Sequence, residues 1–225
     1  MLHSSPHSSP AFEGGLANPV TDAQSAFHAV MHAMANPGRF YALARAATPP
    51  LPLTPELGVI SATLLDHDAT VWCDRAIAAN ADATAWLTFQ TGAPQVDGPS
   101  SAQFALVTDT SLLPSLANFS QGEPEFPDRS TTVVLAVKSF EGGQGLVLKG
   151  PGIDGERDVH INGLPQDFIA QWRDNAAQYP LGVDLVLVCD GAVIAFPRTT
   201  RIAQHDPEKW EPVFGQGHAQ ESKEG

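Results

Sequence analysis

The chain has 225 residues, with 25 Asp and Glu against 12 Lys and Arg, a net charge of −13 at pH 7. That balance repels polyanions and argues against wrapping nucleic acid or lying on an anionic membrane surface. An apolar fraction of 43% and a charged fraction of 16% suit a globular chain with one sizeable core, and no stretch approaches the length of a membrane span.

Residues 1–19, rich in Ser, Pro, His and Gly, read as a flexible extension. They lack the basic start and apolar run of a signal peptide. Residues 20–203 are expected to form a single α/β domain, and 204–225 a polar tail.

Thr21 and Gln24 have the spacing of a capping box, and Ala23, Phe27, Val30, Met31 and Met34 follow as an apolar stripe. They predict a helix from Asp22 to Ala35, ended by Asn36-Pro37-Gly38. Its His28 and His32 lie four apart without a third ligand nearby, and surface histidines are expected. Thr54 and Pro55 are a favourable N-cap and N1 pair for a second helix, with Leu57, Ile60, Leu64 and Leu65 inward.

That helix ends in Asp66-His67-Asp68, the most conspicuous acid-base cluster in the chain. A carboxylate beside an imidazole can orient a general base or hold a metal. A His at a helix C-terminus flanked by loop aspartates is also ordinary structure, and this structural role is the expectation.

A strand over Thr70–Cys73 comes next, then a helix capped by Asp82 that buries Trp86 and Leu87. A strand over Gln103–Thr108 and a helix over Ser111–Phe119, interrupted at Pro114, follow. Gln121–Asp128 reads as a loop carrying Glu123 and Glu125, whose spacing gives no support for glycosidase chemistry.

Phe126–Val137 and Gly145–Ile153 are β-rich runs joined by a glycine-bearing segment, and they are expected to be adjacent strands of a core sheet. A short strand near Asp158–Ile161 and a helix over Gln166–Ala177 complete this part. Asp184–Phe196 predicts a hairpin around Asp190-Gly191. Helices alternating with strands and a closing hairpin argue for an α/β fold with a mixed sheet covered by helices.

Two polar clusters stand at strand ends: Arg129-Ser130 in the first run, and Arg198-Thr199 with Arg201 after the hairpin. Arginines and hydroxyls there suit phosphate or carboxylate ligands. Thr and Ser also favour strands for their own sake, and a sheet end is an ordinary place for an Arg. Gly150-Pro151-Gly152 is a tight turn without either of the Gly-rich phosphate-loop patterns. Cys73 and Cys189 lie in apolar runs, and free thiols are expected, with no zinc or iron-sulfur spacing. A stand-alone enzyme would use Asp66 and His67 as acid and base, with Arg129 and Arg198 holding an anion.

Eight segments occur in the order seen in one family. They are Ala35–Arg39, Leu51–Thr54, Leu64–His67, Thr91–Pro94, Pro127–Thr132, Leu148 with Gly150–Ile153, Pro180–Leu185 and Pro197–Thr200. Over residues 20–202 the chain resembles the PhnH family of the carbon-phosphorus lyase system. The resemblance implies a cytoplasmic, homodimer-forming subunit that works with the G, I and J subunits. In that system a phosphonate is placed on C1 of the ribose of ATP, displacing adenine and giving a ribose 1-phosphonate 5-triphosphate. It further implies a fold like the large domain of pyridoxal-phosphate-dependent transferases without the cofactor. Lys138 and Lys149 fall in or beside strands, neither in a recognisable Schiff-base context, and no cofactor is expected. The chain departs from the family at His28, where an Arg is usual.

Overall fold

The computed structural model describes residues 12–204. Five helices and eleven strands follow one another: α1 (Pro19–Ala35), β1 (Tyr41–Ala42), α2 (Pro55–Leu64), β2 (Val71–Cys73), α3 (Arg75–Ala78), α4 (Ala81–Thr91), β3 (Phe104–Val107), β4 (Gln121–Glu123), β5 (Phe126–Ser130), β6 (Thr132–Ala136), β7 (Ser139–Lys149), β8 (Arg157–Asn162), α5 (Phe168–Ala177), β9 (Asp184–Cys189), β10 (Ala192–Phe196) and β11 (Arg201–Gln204). The central sheet has the order β1-β10-β9-β6-β3-β2, with β2, β3, β6 and β9 parallel, β10 antiparallel to β9, and β1 antiparallel to β10. The expected α/β class and mixed sheet are therefore what the chain adopts.

Side-chain alternation divides the core in two. Leu106, Val134, Val186, Val188 and Ala195 face α1, α2 and α4. Val133, Leu135, Leu185, Leu187 and Phe196 face the other way, onto α5 and a second sheet of order β11-β7-β8. Because the central strands are buried on both faces, their sequences run continuously apolar.

This arrangement corrects one expectation. β6 and β7 are consecutive in the chain but belong to different sheets. Both edges of β6 are already taken, by β3 and β9, so the chain leaves after Val137 and β7 pairs with β8 and β11.

Helix α1 turns a different face inward from the one its large residues suggested. Ala26, Ala29, Val30 and Ala33 are buried, whereas Phe27 is 50% and Met31 44% exposed. Small side chains let α1 approach β10 and α2 closely, and an alanine stripe outranks a bulkier one when the neighbouring backbone is near. The helix starts at Pro19 with Asn18 as its N-cap, so the capping box expected from Thr21 and Gln24 does not form; instead Asp22, one position beyond the capping-box site, accepts a hydrogen bond from the Asn18 N–H at 2.6 Å.

Other differences are local. The cap of α4 is Asn80, whose side chain accepts from Ala83 N–H, and Asp82 lies in the first turn. The helix expected over Ser111–Phe119 is two single 3-10 turns, Thr110–Leu112 and Leu116–Asn118. The loop expected over Gln121–Asp128 is mostly the β4–β5 hairpin. The cap of α2 at Thr54 and the Asp190-Gly191 turn, with φ of 46° and 71°, are as expected. Residues 12–18 fall within the extension drawn from the sequence, yet their backbone is tied down. Glu13 O accepts from Trp86 Nε1 at 2.7 Å, and Gly14 O from Thr48 N at 2.9 Å. The expected polar tail, apart from Gln204, and residues 1–11 of the extension lie outside the described residues.

Candidate functional site

At the N-terminal ends of the parallel strands, Arg198 joins three separate segments. Its Nε and Nη2 donate to the Asp184 carboxylate, Nη1 to Pro127 O at 2.8 Å and Pro180 O at 3.3 Å, and Nη2 also to Ser130 Oγ. The Arg198 backbone N–H adds a bond to Asp184 Oδ1 at 2.7 Å. Both side chains of the ion pair are 14% exposed. A planar five-donor fork matches such a set of acceptors, and a lysine would not. Thr131, fully buried beside Ser130, donates to Ala102 O at 2.6 Å and fixes the strand entry.

The expected pairing of Arg129 with Arg198 as twin anion holders does not form. Ser130 points inward and Arg129, one residue earlier, points outward by strand alternation. The Arg129 guanidinium lies 3.9 Å over the Phe126 ring.

Beside the Arg198 junction opens a cavity of about 470 Å³, walled by Lys149, Pro151, Tyr179, Arg198, Thr199 and Arg201. It forms because the antiparallel register of β7 and β11 sets Lys149 directly opposite Arg201, so both side chains leave one face of the second sheet. The Gly150-Pro151-Gly152 turn closes one side. Gly152 has φ of +79°, and a Cβ there would stand 2.2 Å from Ala35 O. Only glycine permits that approach. Asn36-Pro37-Gly38 docks on the same second sheet, with Arg157 donating to Pro37 O at 2.5 Å.

The Asp66-His67-Asp68 cluster is elsewhere. It precedes β2 at the edge of the central sheet, while Asp184 stands on β9, three strands in; at the usual strand spacing this separates them by about 14 Å. Asp66 Oδ1 accepts from Asp68 N at 2.9 Å and Ala69 N at 3.1 Å, an ordinary loop bond pattern. His67 Nε2 lies 3.4 Å from Asp68, and these two side chains are 81% and 85% exposed. The three offer ligand atoms within 4.8 Å of one another, all of them exposed. The structure thus does not bring Asp66 and His67 together with Arg129 and Arg198.

His28 and His32 are exposed on α1, and the His32 ring stacks on Tyr41 at 5.7 Å. Cys73 is buried, and desolvation, with the neighbouring Asp74 charge, pushes its thiol up to about 12. Cys189, half-buried, is pushed up to about 11 by desolvation first and Asp190 second. Neither is an activated nucleophile. Lys138 is exposed beyond β6, and Lys149 pairs with Glu156.

Arg198, Thr199 and Ser130 were singled out from sequence and belong to this region, Ser130 within the junction and Thr199 on the cavity wall. Asp184, Lys149, Tyr179 and the direct opposition of Lys149 to Arg201 were missed as site features. A signal for Asp184 existed: an acidic residue opening an otherwise apolar strand run, on the segment before the arginine. The Lys149–Arg201 register had none, since the two are far apart in the chain.

Comparison with known proteins follows the same residues. The family model described as bacterial phosphonate metabolism protein (PhnH) matches residues 14–203. The chain is 40% identical to the alpha-D-ribose 1-methylphosphonate 5-triphosphate synthase subunit PhnH of Rhizobium meliloti (strain 1021), over 85% of this chain and 95% of that protein. It is 33% identical to the putative C-P lyase subunit protein HtxG of Stutzerimonas stutzeri, over 80% and 85% respectively. Three of the eight segments noted in the sequence, Pro127–Thr132, Pro180–Leu185 and Pro197–Thr200, are those that Arg198 ties together. The chain belongs to the PhnH family of bacterial phosphonate metabolism proteins.

Proposed function

We propose that this chain is a subunit of a phosphonate-processing carbon-phosphorus lyase complex. With partner subunits it is needed to place an alkylphosphonate on C1 of the ribose of ATP, giving a ribose 1-phosphonate 5-triphosphate. The observation that carries this is the 40% identity, over nearly the whole length of both chains, to a relative named as a subunit of such a synthase.

The role is accessory to catalysis by partners. Supporting this, Asp66 and His67 stand in solvent away from the arginine junction, and Arg198 is committed to Asp184 and three backbone or hydroxyl acceptors. Partners are the G, I and J subunits together with a second copy of this chain, in the cytoplasm. The homodimer contact is assigned to the outer face of α1, where Val20 is 81%, Phe27 50% and Met31 44% exposed. A run of large apolar residues left in water on a helix whose inner face is alanine is favourable to bury against another chain. His28 lies beside it, at a position where the family resemblance implies an Arg, and an ion pair made there by an Arg is absent from this contact.

The fold is read as that of a pyridoxal-phosphate-dependent transferase large domain used without the cofactor. A largely parallel central sheet with an antiparallel strand supports that kinship.

The test is growth. A strain lacking this chain should fail with methylphosphonate as the only phosphorus source and recover when the chain is restored. Growth of the deletion strain at the wild-type rate would sink the proposal. Native mass spectrometry of the tagged chain from phosphonate-grown cells checks the partners, the expected result being a large assembly with three other subunits.

A further inference from the structure

We infer that the cavity beside the Arg198 junction binds a tetrahedral phosphorus oxyanion carrying an organic group, that is, an organic phosphate or phosphonate. Its charge comes first. In a chain with 25 acidic and 12 basic residues, the described residues of this cavity wall include Lys149, Arg198 and Arg201 and no carboxylate. Arg198 contributes a fixed floor, its charge met by Asp184. The other two cations are the ones available to a ligand.

Lys149 and Arg201 are direct cross-strand partners, and like charges so placed repel each other. An anion seated between them converts that repulsion into two charge-assisted hydrogen bonds. The Arg201 guanidinium has no hydrogen-bond or ion-pair partner among the described residues. Lys149 meets Glu156 in a contact whose side chains are 55% and 57% exposed. Such a surface pair is weak and can be exchanged for a ligand at little cost. The Thr199 hydroxyl, half-buried on the same wall, can donate or accept.

The remaining wall is apolar and sized for more than an inorganic ion. Tyr179, 64% exposed, and Pro151 line it, and about 470 Å³ lies within the range of small-molecule sites. The Tyr179 ring offers a face for a sugar, a base or an alkyl group. Phosphate esters and phosphonates share the oxyanion chemistry, and separate probes distinguish them.

Isothermal titration calorimetry of the full-length chain, at low salt, with ATP, methylphosphonate and inorganic phosphate in turn, tests the site. Saturable binding of ATP or methylphosphonate is expected, whichever is tighter naming the source. Arg201→Gln and Lys149→Gln should each weaken it about tenfold or more. Arg75→Gln makes the same charge change on the short helix α3 beyond the opposite end of β2 and should leave it unchanged. Tyr179→Ala should weaken the organic ligand and not inorganic phosphate. No saturation by any probe at millimolar concentration would overturn the inference. So would an equal loss in Arg75→Gln, which would mean diffuse charge alone. The choice of ATP and methylphosphonate rests on the functional proposal, but the readouts are separate. An Arg201→Gln, Lys149→Gln chain that binds nothing yet restores growth on phosphonate leaves subunit membership standing and removes the site from that function.

Discussion

Asp66-His67-Asp68 and Arg198 stand at the same end of the central sheet, three to four strands apart, and they reverse their prominence between sequence and structure. The first is three chemically loud residues in a row, and in space it is a solvent-exposed turn whose bonds are to its own backbone. The second is one arginine in an unremarkable Pro-Arg-Thr-Thr run, and in space it gathers acceptors from residues 127, 130, 180 and 184. Adjacency in sequence measures local chemistry. Convergence depends on strand order, which no local pattern encodes.

The largest expected effect comes from breaking the convergent region. Arg198→Ala leaves the Asp184 carboxylate mostly buried without its cation and strands Ser130 Oγ and two carbonyls, so it should destabilise the chain by about 3–5 kcal/mol. Arg198→Lys keeps the charge but cannot reach all four acceptor residues on the two neighbouring segments, and it should recover less than half of that loss. Urea unfolding followed by tryptophan fluorescence measures both. Near wild-type stability in Arg198→Ala would mean that the junction is not what holds these segments together.

Next is the turn that closes the cavity. Gly152→Ala combines a positive φ with a Cβ 2.2 Å from Ala35 O, and should cost up to about 3 kcal/mol. Gly155→Ala, also at positive φ but with nothing within 4 Å of its Cβ, carries only the backbone part of that penalty. The difference between the two in thermal unfolding isolates the close approach of this turn to the end of α1.

The sequence made the element types legible and their partnerships much less so. The continuous apolar run Leu185–Val188 and the Asp190-Gly191 turn announced the β9–β10 hairpin because both signals are local. The separation of β6 from β7 was hidden, because a strand's neighbours are decided by which edges other segments have filled. The inward face of α1 was misjudged for a related reason: Ala26, Ala29 and Ala33 are weak hydrophobic signals but pack closest. Of the site, Arg198, Thr199 and Ser130 could be named from residue type at strand ends. The cation pair across β7 and β11 could not, because it exists only in their register.

A smaller effect appears in alkali and concerns the helix-covered face of the sheet. Burial raises the Cys73 thiol to about 12 from an ordinary value of 9.0, so the folded state keeps its proton where the unfolded chain has lost it. Stability from this group is full below pH 9 and is lost as pH rises towards about 12, by up to about 1.4 kcal/mol per pH unit. Cys73→Ala should show a shallower alkaline loss than the wild type in urea unfolding at pH 8, 9.5 and 10.5. Cys189 and other groups titrate in both proteins, so the difference between the two curves reports Cys73. Parallel curves would show that the thiol ionises equally well in the folded state.

The smallest effect tests the loud cluster itself. The His67 side chain is 81% exposed, and its contact is with the Asp68 side chain, 85% exposed, so His67→Ala should change stability by no more than about 0.5 kcal/mol. Asp66→Ala should cost more, about 1 kcal/mol, because its carboxylate accepts the backbone N–H groups of residues 68 and 69 as a cap does. Both variants should restore growth on methylphosphonate as the wild type does, since an accessory subunit asks no proton transfer of this turn. If His67→Ala keeps its full stability and fails to restore growth, the imidazole acts in the reaction or at a partner surface, and the contrast with Arg198 would have to be redrawn with two functional regions. If Asp66→Ala alone fails, and fails in proportion to its lost stability, the turn is structural and the conspicuous chemistry of its sequence is a property of a well-capped loop.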